Sequence, residues 1–195
     1  MEKDRTPHRK KKILSVASKR QKSIKVILEN IHDPHNVSAI FRTCDAVGVR
    51  EVSLIYNEEK FPKIGKKSSA SAYKWVEKER YKTVKECYDN LHKSDYKIYA
   101  ASLNAEKNFY ELNLTKKCAI VLGNEHRGLS KEAENLADEK FTIPMQGMVQ
   151  SLNVSVAAAV ILFEAMRQRM ANGMYEKSEY SKKELDELIN YWTNK

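Results

Sequence analysis

IKVILENIHDPHNVSAIFRTCDAVGVREVSLIY, residues 24–56, holds a strand, a helix and a second strand, and its reading decides the fold. Residues 24–31 form a short apolar, β-branched run that suits a buried strand. Asp33-Pro34 is a helix-start signal, a capping carboxylate followed by a proline in the first turn. Val37, Ile40, Phe41, Cys44 and Val47 then recur at helical spacing, and Gly48 supplies the stop. Residues 52–56 are the next strand. Upstream, residues 6–21 predict a basic helix with Ile13, Leu14 and Val16 as its apolar contacts. Downstream the alternation continues: a strand over 75–81, a helix over 83–92, and strands over 98–102 and 118–123. A polar connection containing Asn104 and Asn108 separates those last two strands. A short helix over 130–137, a strand over 141–145, the loop 146–150 and a long helix from about 151 to 170 follow. From Ser181 a last amphipathic helix carries Leu185, Leu188, Ile189 and Trp192. Strands alternating with helices imply an α/β fold with a parallel sheet and helices on both faces.

The composition bounds the class. The chain has 195 residues, 42% apolar and 31% charged, with 6 Gly, 4 Pro and 3 Cys, which excludes collagenous, mucin-like and wholly disordered chains. Its longest strongly apolar stretch, residues 156–163, falls far short of the roughly 20 residues needed to cross a bilayer. No apolar segment follows the charged start MEKDRTPHRKKK, so a secretory signal is not expected and a cytoplasmic location is. Cys44, Cys87 and Cys118 are odd in number and widely spaced, which argues against a disulfide framework and against zinc; no metal is expected.

The formal charge of +9 is unevenly spread: +8 over residues 1–25, −4 over 26–59, +6 over 60–82 and −1 over 83–195. Two basic blocks on a nearly neutral body form a polyanion footprint, or else a Lys-rich solubilising surface.

In open α/β sheets ligands sit beyond the carboxyl ends of the strands, and three of those segments carry unusual polar clusters. In HDPHNVSAIFRTCDAVG, residues 32–48, Asn36 falls in the first helical turn beside free N–H groups. Arg42 lies off the centre of the apolar stripe, either as a bidentate phosphate clamp or as a solvated surface arginine. His32 and His35 flank the turn without completing a metal-ligand pattern. In AIVLGNEHRGLS, residues 119–130, the spacing of Gly123 and Gly128 approaches a P-loop, but Leu129 stands where its lysine belongs, which speaks against a nucleotide hydrolase. What is left is a glycine-containing loop with Asn124 and Glu125. In IPMQGMVQSLNVSVAAAVILFEA, residues 143–165, Ser151 is a helix-cap candidate, Asn153 and Ser155 follow, and residues 157–159 offer a small-residue contact surface.

Taken together, NVSAIFRTCDAVGV at 36–49, IVLGNEHRGLS at 120–130 and IPMQGMVQSLNVSVAAA at 143–159 resemble the signature of the SpoU-type (TrmH-like) RNA ribose 2′-O-methyltransferases of the SPOUT superfamily. Within it, the run DPHNVSAI-x-RT and a short basic helix ahead of the catalytic domain are most similar to the subgroup acting on guanosine 18 of the tRNA D-loop. The resemblance implies a deep carboxyl-terminal trefoil knot, a homodimer whose active sites draw on both chains, and S-adenosylmethionine held mainly by backbone groups. The matching cofactor positions are Ala101, Ser102 and Leu103, then Leu122, Gly123 and Asn124, then Ile143, Met145, Gly147, Ser151 and Leu152. It divides the chain into a basic helical arm (1–22), a knotted catalytic domain (23–172) and a helical tail (173–195).

The resemblance likewise implies a catalytic set of Arg42, Asn36, Glu125, Ser151 and Asn153. The family proposal makes the residue at Arg42 the base that takes the ribose proton. A guanidinium with a pKa above about 12 is a reluctant base, so Arg42 as a clamp on phosphate and hydroxyl is the competing role. The near-neutral tail, five acids against four lysines over 176–195, shifts RNA contact toward the two basic blocks. The candidate tRNA contacts are Arg9, Lys10, Lys11, Lys12, Lys19, Arg20, Lys63, Lys66 and Lys67, with Arg127, Arg167 and Arg169 outside the blocks. Rival readings are the same chemistry on rRNA or on the tRNA wobble nucleotide, and a non-catalytic RNA-binding protein on the same scaffold.

Overall fold

The structure, a computed structural model, describes residues 7–64 and 72–195. Lys66 and Lys67 lie outside them. In chain order the elements are α1 (Pro7–Ala17), β1 (Ile24–Glu29), α2 (Pro34–Val47), β2 (Glu51–Ile55), α3 (Ala72–Trp75), β3 (Glu77–Tyr81), α4 (Val84–Lys93) and β4 (Lys97–Ala101). A 3₁₀ turn (Phe109–Glu111), β5 (Cys118–Leu122), α5 (Lys131–Leu136), β6 (Glu139–Phe141), α6 (Val154–Ala171) and α7 (Lys182–Asn194) complete them.

The strands form one parallel sheet in the order β3-β2-β1-β5-β4-β6. Side chains alternate across it with period two. Val26, Leu28, Ile120 and Leu122 pack against the apolar stripes of α2 and α6, while Ile27, Ala119 and Val121 pack against α4 and α5. Each fully buried Val, Leu, Ile or Phe contributes about 1.5–3 kcal/mol, so both faces carry a core. A satellite cluster joins Ile13 and Ala17 of α1 to Leu188 and Trp192 of α7.

Local signals set the ends of α2 as the sequence predicts. Asp33 Oδ1 accepts from the His35 amide at 2.7 Å, Pro34 opens the helix, and Gly48 closes it at φ +84°. A Cβ on Gly48 would lie 2.9 Å from the Lys19 carbonyl oxygen, so the site demands glycine for space as well as for conformation.

Four expectations need correction. The expected strand over 75–81 begins at Glu77, because residues 72–75 wind into the turn of α3; the side chains of this edge strand alternate outward as charges. The strand expected over 141–145 lies at Glu139–Phe141, where it pairs with β4 only as far as Ala101. The long helix starts at Val154 with Asn153, not Ser151, as its cap: Asn153 Oδ1 accepts from the Ser155 amide at 2.8 Å. Finally, Arg20 and Arg169 are no surface contacts for RNA, since both are completely buried. Arg20 is ion-paired with Asp45 and donates to the carbonyls of Asp45 and Val49. Arg169 donates to Gln21 Oε1, Ser23 Oγ, Glu179 Oε1 and the carbonyls of Leu114, Ser23 and Lys116, tying the end of α6 to the start of the sheet.

Candidate active site

The chain leaves β1 toward β2 on one side and returns beside β1 as β5, so the loops at those two carboxyl ends diverge and open a crevice. Three segments meet there: 30–36 after β1, 123–130 after β5 and 142–153 after β6. Glu125 joins the first two. Its Oε1 accepts from the Asp33 amide (3.1 Å) and from Asn36 Nδ2 (2.9 Å), and its Oε2 accepts from the His32 amide (3.0 Å). Asn36, almost fully buried, in turn accepts at Oδ1 from Asn153 Nδ2 at 3.0 Å, which brings in the third segment. Burial pushes the Glu125 carboxyl up, but the hydrogen bonds from Asn36 and the His32 and Asp33 amides outweigh it and hold the group below the usual carboxylate range.

The loop after β5 is built from its own hydrogen bonds. Asn124 and Gly128 exchange backbone bonds at 3.0 and 2.9 Å, Gly128 takes φ +70°, and a Cβ on Gly123 would lie 2.4 Å from the Gly128 carbonyl. The Asn124 side chain pins this loop, donating to the Asn30 carbonyl (2.8 Å) and accepting from the amides of His126 and Arg127.

Between these segments lies a cleft of about 470 Å³, within the size range of small-molecule sites. Ala101, Ser102, Leu103, Leu122, Gly123, Asn124, Ile143, Met145, Ser151 and Leu152 all line it, as do Glu125 and Asn153. Gly147 does not: it sits on an exposed loop with nothing near an added Cβ, beside fully exposed Met148. Ser151, displaced from its expected capping role, is exposed on the cleft wall and its hydroxyl has no partner among the described residues. Apolar walls from Leu122, Ile143 and Leu152 beside the small polar groups of Ser102 and Ser151 suit a ligand that is part nucleoside and part polar chain.

Arg42 stands apart. It is exposed, does not line the cleft and makes no hydrogen bond or ion pair among the described residues. Six residues beyond Asn36, it points about 120° away round the helix. The other cations divide by their partners. Arg127 is paired with Glu58 (3.3 Å) and Glu59 (3.0 Å), and Arg167 with Glu164 (2.7 Å). Arg9, Lys10, Lys11, Lys12, Lys19 and Lys63 are exposed and form no ion pair among the described residues.

Sequence reasoning missed Asn30. It is buried at the end of β1 with φ +51°, a conformation that asparagine tolerates better than most residues. Its Oδ1 accepts from the amides of Glu58 and Glu59, and its Nδ2 donates to Asn57 Oδ1 at 2.8 Å. One residue thus joins the loop after β2 to the cleft loop; an asparagine between a strand and a capping turn was the available signal. The cysteines offer no nucleophile. Burial pushes the thiols of Cys44 and Cys87 up to about 12 and that of Cys118 up to about 11. Among the described residues no group of three or more His, Cys, Asp or Glu could hold a metal ion, and no helix is long and apolar enough to cross a membrane.

Comparison with known proteins places this geometry. The chain is 42% identical over 193 residues to a Thermus thermophilus tRNA (guanosine(18)-2′-O)-methyltransferase, covering 98% of this chain and 99% of that one. It is 41% identical over 170 residues to the Escherichia coli protein of the same name, covering 87% and 74%. The crystal structure of an Aquifex aeolicus TrmH/SpoU tRNA modifying enzyme superposes with a TM-score of 0.90 at 40% identity, over 96% of this chain and 95% of the other. With residues 23–163 matching the family model as well, the chain belongs to the SpoU rRNA Methylase family.

Proposed function

We propose that this protein methylates the ribose 2′-hydroxyl of guanosine 18 in tRNA with S-adenosylmethionine as methyl donor. The observation that carries the reading is the Asn36–Glu125–Asn153 network, which locks three chain segments around one cleft. The names of the Thermus and Escherichia relatives support the target nucleotide, and the near full-length match supports tRNA over rRNA. Such a protein works in the cytoplasm, where its substrate is.

When bound, S-adenosylmethionine supplies an electrophilic methyl group. The residues that would hold it, all lining the cleft, are Ser102, Leu122, Gly123, Asn124, Ile143, Met145, Ser151 and Leu152. Rigid alignment of two partners contributes up to about 7–11 kcal/mol to such a transfer, and the Glu125 carboxylate keeps the loops still while it happens. Arg42 supplies the remaining charge. Its exposed guanidinium clamps a substrate phosphate and the neighbouring hydroxyl, and the hydroxyl proton leaves to a phosphate oxygen or to water.

Because Arg42 points away from its own cleft, it acts in the cleft of a second copy of the chain. An apolar stripe on α6 gives that copy a surface: Val156, Phe163 and Met170, seven residues apart, are each about half exposed. The trefoil knot belongs to the same proposal. Residues 142–153 run from the outer strand β6 past the ends of β4 and β5 to α6, which packs on α2.

The test is methylation of unmodified tRNA, with 2′-O-methyl positions mapped by nuclease-resistant dinucleotides and mass spectrometry. Methyl on a D-loop guanosine is expected; none on any RNA leaves a binding module. Arg42→Ala is expected to abolish turnover while S-adenosylmethionine binding by equilibrium dialysis persists. Mixed dimers of Arg42→Ala with Glu125→Ala chains are expected to regain activity, and retained turnover in the Arg42→Ala homodimer removes Arg42 from catalysis.

A further inference from the structure

A second cavity of about 410 Å³ lies away from the cleft, between α1, α3 and α7, lined by Arg9, Lys12, Ile13, Val16, Asp45, Trp75 and Trp192. Its composition is unlike that of an ordinary surface groove. Trp192 is buried and forms the floor, with Trp75 edge-on to it at 5.4 Å and only partly covered. The one acid in the lining, Asp45, is already paired with Arg20. Arg9 and Lys12, at the mouth, have no acidic partner among the described residues. Among the described residues, the groove thus joins an aromatic wall to positive charge that no carboxylate pairs.

We propose that this groove is a nucleotide subsite: it takes one unpaired nucleotide of the substrate RNA, with the base against the Trp75 indole and the adjoining phosphate on Arg9 and Lys12. The inference rests on the tRNA reading and adds to it a defined point of contact remote from the methylated ribose. Unstacked bases are held by aromatic side chains because every base has a π-face, and flanking cations track the backbone. A protein partner is the less fitting occupant, since the apolar wall of a protein docking groove does not call for two cations at its mouth that lack acidic partners among the described residues. The surroundings carry the same pairing of ring and cation. Lys78 Nζ lies 3.7 Å from the centroid of the Tyr73 ring, and Arg80 Cζ 4.9 Å from that of Phe61, along the basic block next to Trp75.

The experiment titrates the full-length protein with unmodified tRNA at several salt concentrations. It compares the parent with Trp75→Phe, Trp75→Leu and the double variant Arg9→Ala/Lys12→Ala, and each variant is checked for its melting temperature, its oligomeric state and its binding of S-adenosylmethionine. Trp75→Leu is expected to weaken tRNA binding by roughly fivefold to a hundredfold, the range of base–aromatic stacking, and Trp75→Phe by less. The double variant is expected to flatten the salt dependence by about one phosphate contact. Donor binding is expected to be unchanged in all three. In the parent, tRNA should quench Trp75 fluorescence, and that component should vanish in Trp75→Phe. A folded Trp75→Leu that binds tRNA as tightly as the parent overturns the proposal, as does a variant whose only defect is a changed oligomeric state. Failure of the parent to methylate any tRNA while the quench persists sinks the enzymatic reading and leaves the groove standing.

Discussion

The cleft and the outer face of α1 are both polar, yet their polar groups are used in opposite ways. In the cleft, Asn36, Glu125, Asn153 and Asn124 are bonded to one another or to backbone, so their geometry is fixed before any ligand arrives. On α1, Arg9, Lys10, Lys11 and Lys12 face solvent without acidic partners among the described residues. The difference teaches which job each region does: chemistry needs groups already held in place, whereas capture of a polyanion needs charge that the protein has not neutralised.

The buried arginines test that contrast most severely, because they have the side chain of the capturing face and the bonding of the cleft. Arg169→Ala takes from Glu179 its cation, leaving it only the bonds from Ser23, and removes the guanidinium donor from the interior carbonyls of Leu114 and Lys116. It is expected to cost about 3–5 kcal/mol of stability by chemical denaturation, with the salt dependence of tRNA binding unchanged in protein that remains folded. A stable Arg169→Ala with a reduced salt slope would return the residue to the RNA contacts.

Glu125→Gln is the next largest. The amide keeps the shape but loses the charge that three donors address, and hydrogen bonds to a charged group are worth about 1.5–3 kcal/mol. We expect a fall in methylation on the order of a hundredfold through misplaced loops, and a smaller fall in stability. The pH dependence has a defined sign. The folded carboxyl is held below its ordinary value, so its contribution is fully present above the unfolded pKa of about 4.3 and fades as pH drops through the lower folded value. Acid titration of the parent against Glu125→Gln reads this directly, and identical acid midpoints would remove the carboxylate from the network's energetics.

Asn153→Ala is milder. It removes the cap of α6, which costs about 1 kcal/mol, and it also frees Asn36 Oδ1. Thermal unfolding measures the first loss and methylation the second; Asn153→Ser is expected to restore the cap but not the bond to Asn36.

Those residues also mark how far the sequence carried. The alternation of strands and helices along the chain, the ends of α2 and the three segments that meet at the cleft were legible, because each is announced within a few residues: a cap, a stop glycine, an apolar period. The cap of α6 was misassigned because Ser151 and Asn153 are equally good capping types two residues apart, and only the position of Asn36 across the chain selects the second. Arg20 and Arg169 look like any other arginine in sequence; what makes them interior is Asp45 and Glu179, which are 25 and 10 residues away. Gly147 was assigned to the cofactor because its position matches the family signature, yet its loop turns outward. Asn30 was passed over because its partners sit in two distant loops.

The smallest predicted effect on stability belongs to the capturing face. Lys11 is exposed, forms no ion pair among the described residues and lies outside both cavities, so Lys11→Ala is expected to leave stability within about 0.5 kcal/mol of the parent. Its consequence should appear only against RNA. If Lys11 contacts one phosphate, the slope of log affinity against log salt falls in magnitude by about 0.9, uniformly across tRNA sequences, while the rate with saturating tRNA is untouched. Arg127→Ala is its control. The ion pairs of Arg127 with Glu58 and Glu59 already neutralise it, so RNA must compete with two carboxylates for that guanidinium, and its removal should change the slope by less than the loss of Lys11. An equal or larger change for Arg127 would mean that its pairs open on contact with RNA, and that bonding in the free protein does not by itself tell a capturing cation from a structural one.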